Sequence, residues 1–203
     1  MNRHPGQQSR LILSTRIALG AKMSLLFVCL LASVAVAQQE AAPTQPCSDP
    51  AYRAFDFWLG EWDVYANDQL AGHNRIESIL NGCALSENWS SVRGGRGNSY
   101  NAYDATTGNW NQFWVDVNGL ILRLVGQPEA GSMVMAGLVP VSDEPGVTTH
   151  HQIRWTPTDA GHVRQLWQSR RSDQEEWATV FDGLYVPKGS PPPAAVSNDD
   201  DSE

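Results

Sequence analysis

Cysteine is scarce in this chain, with three in 203 residues, and no Cys-x-x-Cys pair occurs. That excludes a structural zinc site built from the chain's own thiolates at close spacing. No Gly-x-Ser-x-Gly elbow is present, so the strained turn that exposes a serine nucleophile is missing. The stretch Arg93-Gly94-Gly95-Arg96-Gly97 is rich in glycine. It lacks the Gly-Lys-Ser/Thr ending and following helix of a phosphate loop, and it reads as a flexible hairpin. Its arginines would draw an anionic ligand toward that hairpin. Long apolar runs are also lacking. Beyond Leu25–Ala37 no segment approaches the roughly 20 apolar residues that a helix needs to cross a bilayer.

The first 22 residues carry Arg3, Arg10, Arg16 and Lys22 and no acid. An apolar run then ends in Ala35-Val36-Ala37 before Gln38. A basic region, a short apolar region and small residues at −3 and −1 form a secretory signal over residues 1–37, with Met1 or Met23 as the start. Cleavage after Ala37 leaves 10 of the 14 basic residues against all 22 acids, a net charge of −12. Such a surface repels a polyanion, so nucleic acid is not an expected partner. The mature chain keeps Cys47 and Cys83. In a periplasmic or extracellular setting an even pair reads as one disulfide, the alternative being two unpaired thiols.

Residues 38–46 form a linker of Gln, Ala, Pro and Glu. Residues 187–203, PKGSPPPAAVSNDDDSE, carry too little apolar surface to offset the entropy of ordering, and a disordered tail is expected. Residues 47–186 between them have the size of a single domain. Turn signals recur there at short intervals, among them Asn67-Asp68, Asn81-Gly82, Asn118-Gly119, Asp159-Ala160-Gly161 and Ser172-Asp173-Gln174. Segments with alternating polarity lie between them, including Trp110–Val117, Leu120–Gln127, Val147–Trp155, Val163–Ser169 and Trp177–Val186. This pattern indicates an all-β sandwich or barrel of about ten strands. The one expected helix is a short turn near Asp49–Phe57, where Ser48 or Asp49 caps a first-turn proline. Hairpin-length connections favour simple up-and-down antiparallel order, and closure into a barrel removes both exposed edges. A barrel of this size holds either a packed core or one small ligand.

The stretch Phe55-Asp56-Phe57-Trp58-Leu59-Gly60-Glu61-Trp62-Asp63-Val64 resembles the Gly-x-Trp opening of the lipocalin/calycin barrels. Four further blocks follow in order: Asn81–Trp89, Tyr100–Asp104, Val163–Gln165 and Trp177–Tyr185. Together they make the domain similar to the bacterial exported DUF1579 family, and more distantly to nitrobindin-like haem barrels. The resemblance implies a lipocalin-like barrel and no particular reaction. It also implies that Trp58, Gly60 and Trp62 close the barrel base, with Arg164 against Trp62 through a cation–π contact.

Several side chains are candidates for the interior. Trp89 shares a strand face with Glu87, Trp114 with Gln112 and Asp116, and Trp167 with Gln165. Apolar bulk with a few orienting polar groups is what a small-molecule pocket requires, although the same pattern suits an ordinary core. Tyr103, Arg123 and His151 complete the expected ligand-binding set of Glu87, Trp89, Trp114, Gln165 and Trp167. If Glu87 faces inward, it must pair with a base such as Arg123 or Arg154, or rise in pKa and become an acid/base group. Glu87 and Asp116 are accordingly the candidate catalytic residues. Asp56 and Glu61 read as solvated surface. His150 and His151 point to opposite faces, so the two cannot chelate one ion. One of them could ligate haem, with His73 or His162 in support; otherwise no cofactor is expected. The leading expectation is an exported barrel binding a small apolar or aromatic molecule. An enzyme using an acid/base carboxylate, a haem protein and a filled barrel acting as an interaction module are the alternatives.

Overall fold

The structure, a computed structural model, describes residues 45–193. The expected signal segment, most of the linker and the end of the acidic tail lie outside them. Ten strands follow one another: β1 (Gly60–Ala66), β2 (Gln69–Ile79), β3 (Ala84–Ser91), β4 (Arg96–Asp104), β5 (Asn109–Asp116), β6 (Ile121–Glu129), β7 (Ser132–Pro140), β8 (Thr148–Pro157), β9 (Val163–Arg171) and β10 (Ala178–Pro187). Each pairs antiparallel with its sequence neighbours, and β1 pairs with β10 to close the barrel. Among the described residues no helix is long and apolar enough to cross a membrane.

The turns explain why the chain forms a meander. Asn67 and Asp68 both take positive φ between β1 and β2, as a tight two-residue hairpin requires. Asp116 accepts hydrogen bonds from the backbone N–H groups of Asn118 and Leu120, fixing the turn between β5 and β6. Alternation does the rest. Leu122 and Leu124 on β6, and Ile153 and Trp155 on β8, are buried while their neighbours face solvent or the rim.

The expected helix near Asp49–Phe57 is instead two 3-10 turns, Pro50–Arg53 and Asp56–Trp58. Asp49 caps the first by accepting from Ala51 N–H at 2.8 Å. Phe55 separates them, with a backbone (φ −110°, ψ 7°) that breaks a continuous helix. The break drives Phe55 and Trp58 into one end of the barrel, where both are fully buried. Their rings stack at 4.9 Å, and Phe55 meets Trp110 and Trp155 at 5.7 and 5.2 Å. Trp62 Nε1–H donates to Trp58 O at 3.0 Å, tying the plug to β1. Gly60 has φ +141°, a backbone region that only glycine enters at low cost. A Cys47–Cys83 disulfide pins the segment leading into the plug to the start of β3.

Candidate functional site

Above the plug the barrel is not filled. A cavity of about 190 Å³ lies between β3, β5, β6, β8, β9 and β10. Its aromatic walls are Trp89, Trp114, Trp155, Trp167 and Phe181. Trp155 and Tyr185 form its floor, because both also touch the plug residue Trp58 at 5.4 and 6.2 Å between ring centroids.

Three of these aromatics lie against glycines. A Cβ at Gly97 would strike the Trp114 ring, and one at Gly183 the Phe181 ring. A Cβ at Gly72 would meet Trp89 and also the Ser90 carbonyl. Glycine inside a strand normally weakens it. Here each gap gives a wall aromatic room to lie against the backbone.

The polar side of the cavity is a chain of hydrogen bonds through β5, β4, β3, β2, β10 and β9. Gln112 Nε2–H donates to Asn101 Oδ1 at 2.9 Å, and Asn101 Nδ2–H to Ser99 Oγ at 2.9 Å. Ser99 Oγ–H donates to Glu87 Oε2 at 2.7 Å. From the other side Asn74 Nδ2–H donates to Glu87 Oε1 at 2.8 Å and to Tyr185 OH at 3.2 Å. Tyr185 OH in turn donates to Gln165 Oε1. The donors converge on Glu87, which is 5% exposed.

Glu87 therefore faces inward, and the bases proposed as its partners do not. Arg123 sits between inward-facing Leu122 and Leu124, so it points outward and lies over Phe113 at 5.1 Å. Arg154 likewise points outward and pairs with Glu129. Without a cation, desolvation by burial outweighs the bonds from Ser99 and Asn74 and pushes the Glu87 carboxyl up to about 7. Tyr185 is raised well above the ordinary tyrosine value, first by its own burial and then by the Glu87 charge.

Of the expected ligand-contacting residues, Glu87, Trp89, Trp114, Gln165 and Trp167 line this cavity. Three do not. Arg123 is excluded by strand parity, as described above. Tyr103 packs near the base against Tyr52 and Trp110, with ring centroids at 5.1 and 6.3 Å. His151 is buried on the same face of β8 as Ile153 and Trp155 but outside this cavity, and it accepts the Trp167 indole N–H at Nδ1, at 3.1 Å. Asp116, the second candidate acid, serves the β5–β6 turn rather than the cavity. Arg164 is also corrected. Between inward-facing Val163 and Gln165 it points out, and its Nε donates to Asp182 at 2.8 Å. Trp62 packs instead against Tyr185, at 6.2 Å. Residues missed as wall or floor are Leu122, Ile153, Trp155, Val180, Phe181 and Tyr185. Strand alternation carried the signal for most of them.

Two of the histidines weighed as haem ligands, His151 and His73, are already engaged among the described residues. An indole N–H can only donate, so His151 Nδ1 is unprotonated and the neutral ring carries its proton on Nε2. Burial lowers the His151 pKa and keeps the ring neutral. Binding iron through Nε2 would move that proton to Nδ1 and break the bond from Trp167. His73 lies on the outer face, hydrogen-bonded to Asp63 at 2.7 Å.

The fold and site together define a class: a closed ten-stranded antiparallel barrel with a small aromatic cavity and a buried carboxyl at its edge. Comparison with known protein families and with curated proteins finds no match for this chain.

Proposed function

We propose that the protein is an exported, lipocalin-like barrel that binds one small, flat, largely apolar molecule in its interior. The observation that carries this reading is the cavity: about 190 Å³, walled by tryptophans seated on glycines and edged by Glu87, Gln112 and Gln165. Drug-sized ligands occupy pockets of roughly 300–1,000 Å³, whereas an apolar cavity of about 150 Å³ accepts a single benzene ring. One aromatic ring, or two fused ones, is the matching size. Ring faces of Trp and Phe favour an aromatic guest, since offset and edge-to-face contacts add to simple burial.

Export is supported by the Cys47–Cys83 disulfide, because such bonds persist in oxidising compartments. It is also supported by the basic and apolar character of residues 1–37. The lipocalin-like assignment rests on the closed meander and the Gly60-x-Trp62 opening at its plugged end. The domain organisation that fits this reading is a cleaved segment 1–37, a linker 38–46, the barrel 47–186 and a tail from 187.

Native mass spectrometry of the purified, oxidised protein tests the reading. A co-purifying adduct of low mass, released on unfolding, is the expected result. A bare mass, together with no uptake of indole at millimolar concentration, would overturn it.

A further inference from the structure

Polar groups at the cavity keep hydrogen-bonding capacity that the protein leaves unused. Gln165 spends Oε1 on Tyr185, and its Nε2–H group has no acceptor among the described residues. Glu87 accepts one bond on each oxygen, while a carboxylate offers about four lone-pair positions.

No cation competes for that carboxylate. The inner faces of β2 and β4 beside it carry Gly72, Asn74, Ile76, Gly97, Ser99 and Asn101, all uncharged. Tyr185 is the titratable group facing it from β10. His151 on β8 is neutral and engaged by Trp167. Arg75 pairs with Glu77 on the outer face of β2.

A desolvated carboxylate and an unused amide N–H on the lining of one aromatic cavity suit a simple arrangement of ligand atoms. That arrangement is a carbonyl group with a C–H bond on the adjacent carbon. We propose that the protein catalyses proton transfer at the carbon next to the carbonyl of a small aromatic ketone, with Glu87 as the general base. In the step, Glu87 takes the proton and the C–H electron pair becomes the C=C bond of an enolate. The enolate oxygen accepts a hydrogen bond from Gln165 Nε2–H. Glu87 then returns the proton to the same carbon, or to a conjugated one. Nothing is oxidised or reduced, so no co-reactant is needed. Burial favours this chemistry, because a carboxyl pushed up to about 7 is a stronger base than a solvated one and is still substantially ionised at neutral pH.

This inference rests on the cavity being a ligand site, and the test separates the two. The oxidised protein is incubated with 2-indanone in D2O, and loss of the CH2 signal is followed by proton NMR. Binding of 2-indanone and of indole is measured by calorimetry. The expected result is exchange about 10²-fold faster than in buffer alone. Glu87→Gln should return exchange to the buffer rate while still binding 2-indanone. If that variant does not fold, the wild-type pH profile decides. Protein-dependent exchange should rise with pH and level off above about 7. An exchange rate that climbs without a plateau contradicts Glu87 as the base. Binding with no acceleration, or equal acceleration in Glu87→Gln, overturns the catalytic inference alone. Indole binding without 2-indanone binding does the same. Binding of neither probe overturns the ligand reading as well.

Discussion

Ser99 donates its hydroxyl to Glu87 across 2.7 Å, in a region where no cation faces the carboxylate. Neutral donors soften the cost of a buried charge, but burial still dominates. The result is a carboxyl whose protonation couples to stability.

Stability should therefore depend on pH in a direction opposite to that of most acids. The Glu87 carboxyl titrates at an ordinary 4.5 when unfolded and at about 7 when folded. Between these values the folded protein holds the extra proton, so its stability falls as pH rises and levels off above about 7. The shift corresponds to a loss on the order of 3 kcal/mol. Urea unfolding at pH 5 and pH 8 should show that the loss is much smaller in Glu87→Gln. The variant should also be the more stable protein at pH 8. Parallel pH dependence in both proteins would contradict the burial of an unpaired carboxyl.

Gly97 governs the cavity from outside the list of polar candidates. Adding one methyl there pushes against the Trp114 ring. Gly97→Ala should weaken binding of indole about tenfold and cost roughly 1–3 kcal/mol of stability through overpacking. Calorimetry and urea unfolding measure the two effects separately.

The plug and the wall should respond differently to truncation. Phe55→Ala removes a fully buried ring that touches Trp58, Trp110 and Trp155, and should cost about 3–5 kcal/mol. Trp114→Ala removes a half-buried ring beside a space that is already open, and should cost less while impairing indole binding. Thermal melts of the two variants rank them directly.

Reduction should loosen the plugged end. The Cys47–Cys83 bridge spans 36 residues of sequence, for which loop-closure entropy gives about 4 kcal/mol. The urea midpoint should fall accordingly when Cys47 and Cys83 are both replaced by serine.

Much of this was legible in the sequence. Even turn spacing indicated the strand count and the meander, and observed strands such as Asn109–Asp116 and Val163–Arg171 lie within two residues of their expected bounds. The tryptophans at 89, 114 and 167 were found because each shares parity with a polar neighbour. Arg123 and Arg164 were misplaced although parity applies to them too. Leu122 and Leu124 bracket the first, Val163 and Gln165 the second, and burial of the apolar partners decides the face. The polar chain was not legible, because its two halves join only where Asn74 on β2 meets Tyr185 on β10, 111 residues apart in sequence. Gly72, Gly97 and Gly183 carried a signal that went unread: isolated glycines in strands mark a close approach, here by the aromatic walls.

Phe55, Trp58 and Trp62 close the base of the barrel, and the cavity lies one layer above them. Calorimetric titration of the oxidised protein with indole tests that division most directly. Saturable binding of one indole per barrel, weakened in Gly97→Ala, is the expected result. Heats that never saturate, or binding unchanged by that substitution, would contradict it.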